Sequence, residues 1–330
     1  MHVVVHLSPA TPHAAASTEL PGAPDSQAAV YPGPRFRFGF HLGGAMRVKK
    51  IGVIGAGIMG RGIAQVAAQG GFQTVLQDVE PEQLESALRT VRRGFDKLVE
   101  LQKMSRDDAD AAQSRLSTTT DLAAAARDAD LVIEAAPERI DLKLRLFSEL
   151  DGLAPAGCVL ASNTSSLSVT EMAAVTHRPE RVVGMHFFNP VPRMALVEVV
   201  RALETEETTI DLALDVAHRM HKEAVVVRES PGFITSRINA MIGNEAFYML
   251  QEGVASAQDI DKALKLGLNH PMGPFELVDL VGLDTRLAIL EYLHRSLGDK
   301  FRPAPLLVQY VRAGRLGKKC GRGVYEYDVE

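Results

Sequence analysis

The chain has 330 residues and a formal net charge of −5, with 46% apolar and 23% charged side chains, an ordinary globular composition that excludes wholesale disorder. That mildly acidic balance gives no global field for nucleic acid or membrane surfaces, and no apolar run approaches the roughly 18 residues of a transmembrane helix. Cys158 and Cys320 are the only cysteines and form no CxxC pair, so neither a disulfide framework nor a metal site is expected, and a reducing, cytoplasmic compartment is the default.

Residues 1–45 hold six of the 17 prolines and no apolar period, which reads as a disordered N-terminal arm. No basic region precedes Val3-Val4-Val5, so a signal peptide does not fit. Arg35 and Arg37 in an acid-poor stretch leave a transit peptide open, and Met46, just before the first strand, offers an alternative start.

From residue 48 strands alternate with helices. Strands are expected over 48–55, 73–77, 130–135, 157–162, 181–187, 195–200 and 224–228. Helices are expected over 59–69, from Pro81 onward and over 138–151. This alternation predicts an α/β fold: a Rossmann-like, mostly parallel sheet with helices on both faces. After Pro231-Gly232 only helical periodicity remains, over 233–252, 258–266, 275–297 and 303–313. The expected organisation is therefore a nucleotide-binding domain over 46–229 and an all-helical C-terminal domain over 230–330.

Gly55-Ala56-Gly57-Ile58-Met59-Gly60 is a GxGxxG turn between the first strand and the first helix, the context in which the pattern carries meaning. Gly55 permits the tight turn, Gly57 lets a pyrophosphate approach the backbone, and Gly60 lets helix and strand pack closely. The helix opening at Ile58 and Met59 offers free N–H groups to the phosphates. Asp78 ends the second strand, 18 residues beyond Gly60. A carboxylate there accepts from the ribose and repels a 2′-phosphate, favouring NAD over NADP.

Arg89, Arg93 and Lys97 recur every four residues along the helix that begins at Pro81. The stripe suits a polyanionic ligand group; it equally suits a solvated helix face.

Polar residues gather where later strands should end: 162–166 (SNTSS), His186 and Asn189 in 186–190 (HFFNP), Glu198, and Ser236-Arg237. Ligands bind outside the carboxyl ends of parallel strands. His186 and Glu198 lie on successive strands and can face each other, a pairing that fixes an imidazole tautomer and raises its basicity. Structural readings stand beside this one: a lone strand-end histidine often only hydrogen-bonds, and 168–171 (SVTE) has the form of a helix capping box.

Seven ordered blocks, 51–65 (IGVIGAGIMGRGIAQ), 131–138 (LVIEAAPE), 160–167 (LASNTSSL), 184–200 (GMHFFNPVPRMALVEVV), 229–238 (ESPGFITSRI), 269–285 (NHPMGPFELVDLVGLDT) and 314–327 (GRLGKKCGRGVYEY), resemble the L-3-hydroxyacyl-CoA dehydrogenase family, and most closely its single-function bacterial 3-hydroxybutyryl-CoA members. The resemblance implies an NAD-dependent, reversible oxidation of an L-3-hydroxyacyl-CoA, by a homodimer formed through the helical domain. It implies His186 as general base, Glu198 as its paired acid and Ser165 near the substrate oxygen. It places Asn189, Glu138, Lys143 and Lys319 around the cofactor, and it lifts Lys97 to a CoA-phosphate ligand. One departure stands out. The family often carries Asn-Arg where this chain has Ser236-Arg237, so either Ser236 or Asn239 must hold the substrate carbonyl. Dehydrogenases of free 3-hydroxy acids or sugar acids, and a non-catalytic NAD-binding protein, are the competing expectations.

Overall fold

A computed structural model gives the structure of the protein and describes residues 48–328; the expected arm lies outside them. The first part runs β1 (Lys50–Ile54), α1 (Ile58–Gln69), β2 (Gln73–Gln77), α2 (Pro81–Glu100), α3 (Arg106–Ser114), β3 (Leu116–Thr119), α4 (Leu122–Ala126), β4 (Leu131–Glu134), α5 (Ile140–Leu153), β5 (Val159–Ser162), α6 (Val169–Ala174), β6 (Val182–Phe187), β7 (Leu196–Arg201), α7 (Glu207–Arg219) and β8 (Glu223–Arg228). Five helices follow: α8 (Thr235–Gln251), α9 (Ala257–Gly267), α10 (Pro274–Val281), α11 (Leu283–Leu297) and α12 (Pro305–Arg312).

The strands form one sheet in the order β3-β2-β1-β4-β5-β6-β7-β8. The first six are parallel, in the dinucleotide-binding order. β7 reverses against β6, and β8 follows β7 in parallel. The reversal has a simple cause: the link over 188–195 is shorter than the dozen or so residues a parallel crossover needs.

Central strands are apolar on both sides because helices cover both faces. Leu131 and Ile133 enter one core with Ile51, Val53, Ile63 and Phe72. Val132 enters the other, with Phe147, Leu150, Leu160 and Met172. A third core in the helical part is built on Phe247, Phe275, Leu290, Leu293 and Phe301.

Three local features depart from the sequence pattern. The expected helix over 275–297 is two helices, because Gly282 turns the chain at φ +105°, a conformation open to glycine and strained for other residues. The edge strand β3 (LSTT) has no apolar alternation; its register against β2 defines it. Helix α5 begins at Ile140, which leaves Glu138 in the turn before it. The capping residues at 168–171 do start α6: the Ser168 side chain accepts from the Glu171 amide.

The chain's last described segment folds back onto the helices. Asp279 accepts hydrogen bonds from the amides of Val324 and Tyr325 and from the Tyr327 hydroxyl, while Asp261 accepts from the Tyr325 hydroxyl and the amides of Phe275 and Glu276. Both acids are buried. Among the described residues no helix is long and apolar enough to cross a membrane.

Candidate active site

The glycine turn sits where β1 leaves the sheet, beside the ends of β2 and β4. Gly55 adopts φ +99°, and its amide donates to Gln77 O at 2.7 Å. Gly60 is packed so closely that a Cβ there would lie 1.7 Å from Gly55 O. Gly57 is different: a Cβ would meet nothing within 4 Å, so the space before it is open to a ligand. The first α-helical amide bond of α1 runs from Arg61 N to Gly57 O, so the amides of Ile58, Met59 and Gly60 precede the helical ladder. Open space, amides before the ladder and a helix N-terminus fit a pyrophosphate.

Asp78 spans the rim of this turn. Its Oδ2 accepts from Ala56 N at 2.7 Å and its Oδ1 from Glu80 N at 3.0 Å. Each oxygen keeps a second lone pair for a ribose hydroxyl.

The ends of β4 and β5 hold a buried polar knot. Lys143 Nζ lies 2.6 Å from Glu134 Oε1 and 3.3 Å from Glu138 Oε2. Ser162 Oγ donates to the other Glu134 oxygen at 2.7 Å. Glu138 Oε1 in turn accepts from Thr164 Oγ1 at 2.6 Å and from Ser165 N at 2.9 Å, with Ser165 Oγ at 3.2 Å. One chain of contacts therefore joins Lys143, Glu138 and Ser165. Sequence reasoning missed Glu134; its signal was an acid closing an apolar strand, with a lysine nine residues further on the next helix.

His186 and Glu198 occupy directly paired positions on antiparallel β6 and β7, which sets both side chains on one face. Nδ1 of His186 lies 2.7 Å from Glu198 Oε2, and both side chains are buried. Glu198 Oε1 accepts from the amides of Ile234 (3.2 Å) and Thr235 (3.0 Å), and the Thr235 hydroxyl donates to Oε2 at 3.1 Å. Burial opposes the charge on Glu198, but the hydrogen bonds from His186 and Thr235 outweigh it and hold the carboxyl below its usual range. An ionised Glu198 only accepts, so Nδ1 carries a hydrogen, and in the neutral form of the ring the lone pair is therefore on Nε2. Phe188 and Phe233 flank the ring, with centroids at 4.5 and 5.8 Å.

Other residues singled out by sequence are dispersed. Asn189 is exposed on the loop after β6. Ser236 stands next to Thr235, and it is Thr235 that touches Glu198. Lys319 is paired with Asp284 at 2.6 Å in the helical part. Lys97 is exposed on α2 and paired with Glu100 at 3.0 Å; Arg89 and Arg93 share its exposure. A further residue escaped sequence reasoning: buried Lys222 donates to Val191 O (2.6 Å) and Met194 O (2.8 Å) and ties down the loop that follows His186. Val191 also packs against Gly62 of α1, where a Cβ would lie 2.9 Å away.

Residues 50–230 match the NAD binding domain of 3-hydroxyacyl-CoA dehydrogenase, and residues 232–327 match its C-terminal domain. The chain belongs to the 3-hydroxyacyl-CoA dehydrogenase family. It is similar to the Bacillus subtilis protein named "Probable 3-hydroxybutyryl-CoA dehydrogenase", at 50% identity over 86% of this chain and 99% of that one. The 3-hydroxybutyryl-CoA dehydrogenase of Bradyrhizobium diazoefficiens is 46% identical over 85% of this chain and 96% of its own. Among solved structures, (S)-3-hydroxybutyryl-CoA dehydrogenase from Ralstonia eutropha superposes with a TM-score of 0.83 at 43% identity, covering 86% of this chain and all of that one. This 3-hydroxyacyl-CoA dehydrogenase family member is an NAD-dependent oxidoreductase, with the dinucleotide turn described above.

Proposed function

We propose that this dehydrogenase oxidises the 3-hydroxyl of a short L-3-hydroxyacyl-CoA, 3-hydroxybutyryl-CoA first, to the 3-ketoacyl-CoA, reversibly, with His186 as general base. The observation that carries the reading is the 2.7 Å contact between His186 Nδ1 and Glu198 on paired strands of the sheet that also carries the dinucleotide turn.

The chemistry follows from the pair. An alcohol releases hydride readily only as its proton leaves. His186 Nε2 takes that proton, and Glu198 stabilises the resulting imidazolium through Nδ1. The aromatic walls strengthen this attraction by excluding water. Bound at the glycine turn, NAD supplies the hydride acceptor. Ser165, held by Glu138, presents a hydroxyl to the substrate oxygen; Ser236, with Asn239 as its alternative, serves the thioester carbonyl; Asn189, Glu138, Lys143 and Lys319 belong to the cofactor side.

In the same reading residues 46–229 hold the cofactor and residues 230–330 complete the substrate site. Exposed Arg89, Arg93 and Lys97 form the ridge for the CoA phosphates. A homodimer through the helical part is supported by exposed Ile234, Ile238 and Met241, which follow one another along one face of α8, and by exposed Leu280 and Val281. A cytoplasmic setting is supported by two free cysteines.

The test is NADH oxidation by purified protein with acetoacetyl-CoA, longer 3-ketoacyl-CoAs and the corresponding free acids. Turnover of the thioesters and not of the acids is expected. Turnover of the free acids alone, or NADH binding with no turnover of any substrate, overturns the reading.

A further inference from the structure

Glu198 also closes the start of α8. That helix has no cap from its own N-terminal side chain, and the amides of Ile234 and Thr235 donate instead to Glu198 Oε1. A carboxylate is favoured there by the helix dipole. The turn that delivers this segment is a costly one. Phe233 takes φ +48°, in the left-handed region that favours glycine, and it is buried with its ring beside that of His186.

The two oxygens of Glu198 have different partners. Oε1 receives backbone amides alone. Oε2 receives two side-chain donors, His186 Nδ1 at 2.7 Å and the Thr235 hydroxyl at 3.1 Å. The amides serve the helix whatever side chain stands at 235. A valine there would match threonine in shape and lack only the hydroxyl, so the helix start does not require it. Among the described residues no other ionised group hydrogen-bonds to Glu198. β8 sets Val225 against it. Arg237 of α8 donates to Ser230 and lies over the Phe301 ring. Glu229, after β8, accepts from Ser168 and Thr170, and Arg201, at the far end of β7, pairs with Glu207.

We propose that the Thr235 hydroxyl is a positioning group for the reaction: by sharing Oε2 with His186 it weakens the hold of the carboxylate on the imidazole and sets the pH at which the pair can take the substrate proton. The inference rests on the reading above, in which His186 is the base. A carboxylate oxygen that accepts a second hydrogen bond has its charge partly satisfied, so it stabilises the imidazolium less. Without the hydroxyl, Glu198 draws harder on Nδ1–H. The pair then keeps its proton to higher pH, and the base is free over a narrower range.

The experiment measures kcat/KM for oxidation of L-3-hydroxybutyryl-CoA by NAD, between about pH 5.5 and 9.5, in wild type, Thr235→Val and Thr235→Ser. The rate rises along an acid limb as the pair loses its proton. In Thr235→Val that limb is expected about half a pH unit or more higher, a fall of about threefold or more at any pH on the limb. Thr235→Ser keeps the hydroxyl and is expected to keep the wild-type limb. A purely structural threonine would alter the melting temperature or the plateau and leave the limb in place. An unmoved limb in Thr235→Val, a limb moved to lower pH, or an equal displacement in Thr235→Ser overturns this inference alone. Should Thr235→Val not fold, Thr235→Ala makes the same comparison, with the same outcomes. Absence of turnover by the wild type at every pH overturns the proposed function itself.

Discussion

Glu198 and Thr235 are joined twice, through the Thr235 amide at 3.0 Å and its hydroxyl at 3.1 Å. The same carboxylate holds His186, so the imidazole is positioned by the sheet and by the first turn of α8 at once. Three hydrogen bonds besides that of His186 leave the carboxylate little freedom to rotate.

His186→Gln should lower kcat by roughly 10²–10⁴-fold, the range of a lost general base. NADH affinity should stay within a few-fold, because the glycine turn is untouched. Glu198→Gln should also lower kcat by about 10²-fold or more, since an amide can leave the imidazole in the wrong tautomer. Stopped-flow turnover beside NADH fluorescence titration checks both. A near-normal rate in His186→Gln would remove the residue from the chemistry.

Acid should weaken the fold partly through Glu198. Its carboxyl sits below the ordinary glutamate value of 4.5 in the folded state, so the folded state favours the ionised form. That stabilisation is complete above the unfolded value and is lost as pH falls through the folded one. Urea titrations between pH 3 and 7 should show the wild type losing stability below about pH 4.5 more steeply than Glu198→Gln. Parallel curves would assign the acid sensitivity to other groups.

The two inner glycines of the turn should fail in different ways. Gly57→Ala places a methyl in open space, so the melting temperature should hold while NADH affinity falls. Gly60→Ala drives a methyl into Gly55 O, so the turn itself must move and both quantities should fall. Thermal melts with NADH titrations separate the two. NADPH should be used at least about tenfold less well than NADH while Asp78 is present.

Lys222→Met removes the donor to two carbonyls of the loop after β6. Leaving such groups unpaired costs about 1–3 kcal/mol. Differential scanning calorimetry should show a fall of several degrees. An unchanged melting temperature would mean that water replaces the ammonium.

The layered fold was legible because its strands are short apolar runs and its first helix follows a glycine turn. The facing of His186 and Glu198 was legible for a related reason: a short link between two strands leaves them antiparallel neighbours. Side-chain direction at the start of α8 was not. Spacing cannot say which of Thr235 and Ser236 turns toward Glu198, since both occupy the first turn. The Glu134–Lys143 pair was hidden because a buried charge reads from sequence like any polar residue. The break at Gly282 was hidden because apolar periodicity continues across it, and only the backbone angle separates α10 from α11.

Asp261 and Asp279 give the far end of the chain an unexpected standing. Residues beyond Gly323 are usually regarded as a tail that can be trimmed or tagged, yet here Val324, Tyr325 and Tyr327 neutralise the donor hunger of two enclosed acids. Cutting them away would strand the Asp279 carboxylate inside the helical core and take from Asp261 one of its three donors. Deletions that reach Tyr327 should therefore be read as injuries to the interior rather than to the surface.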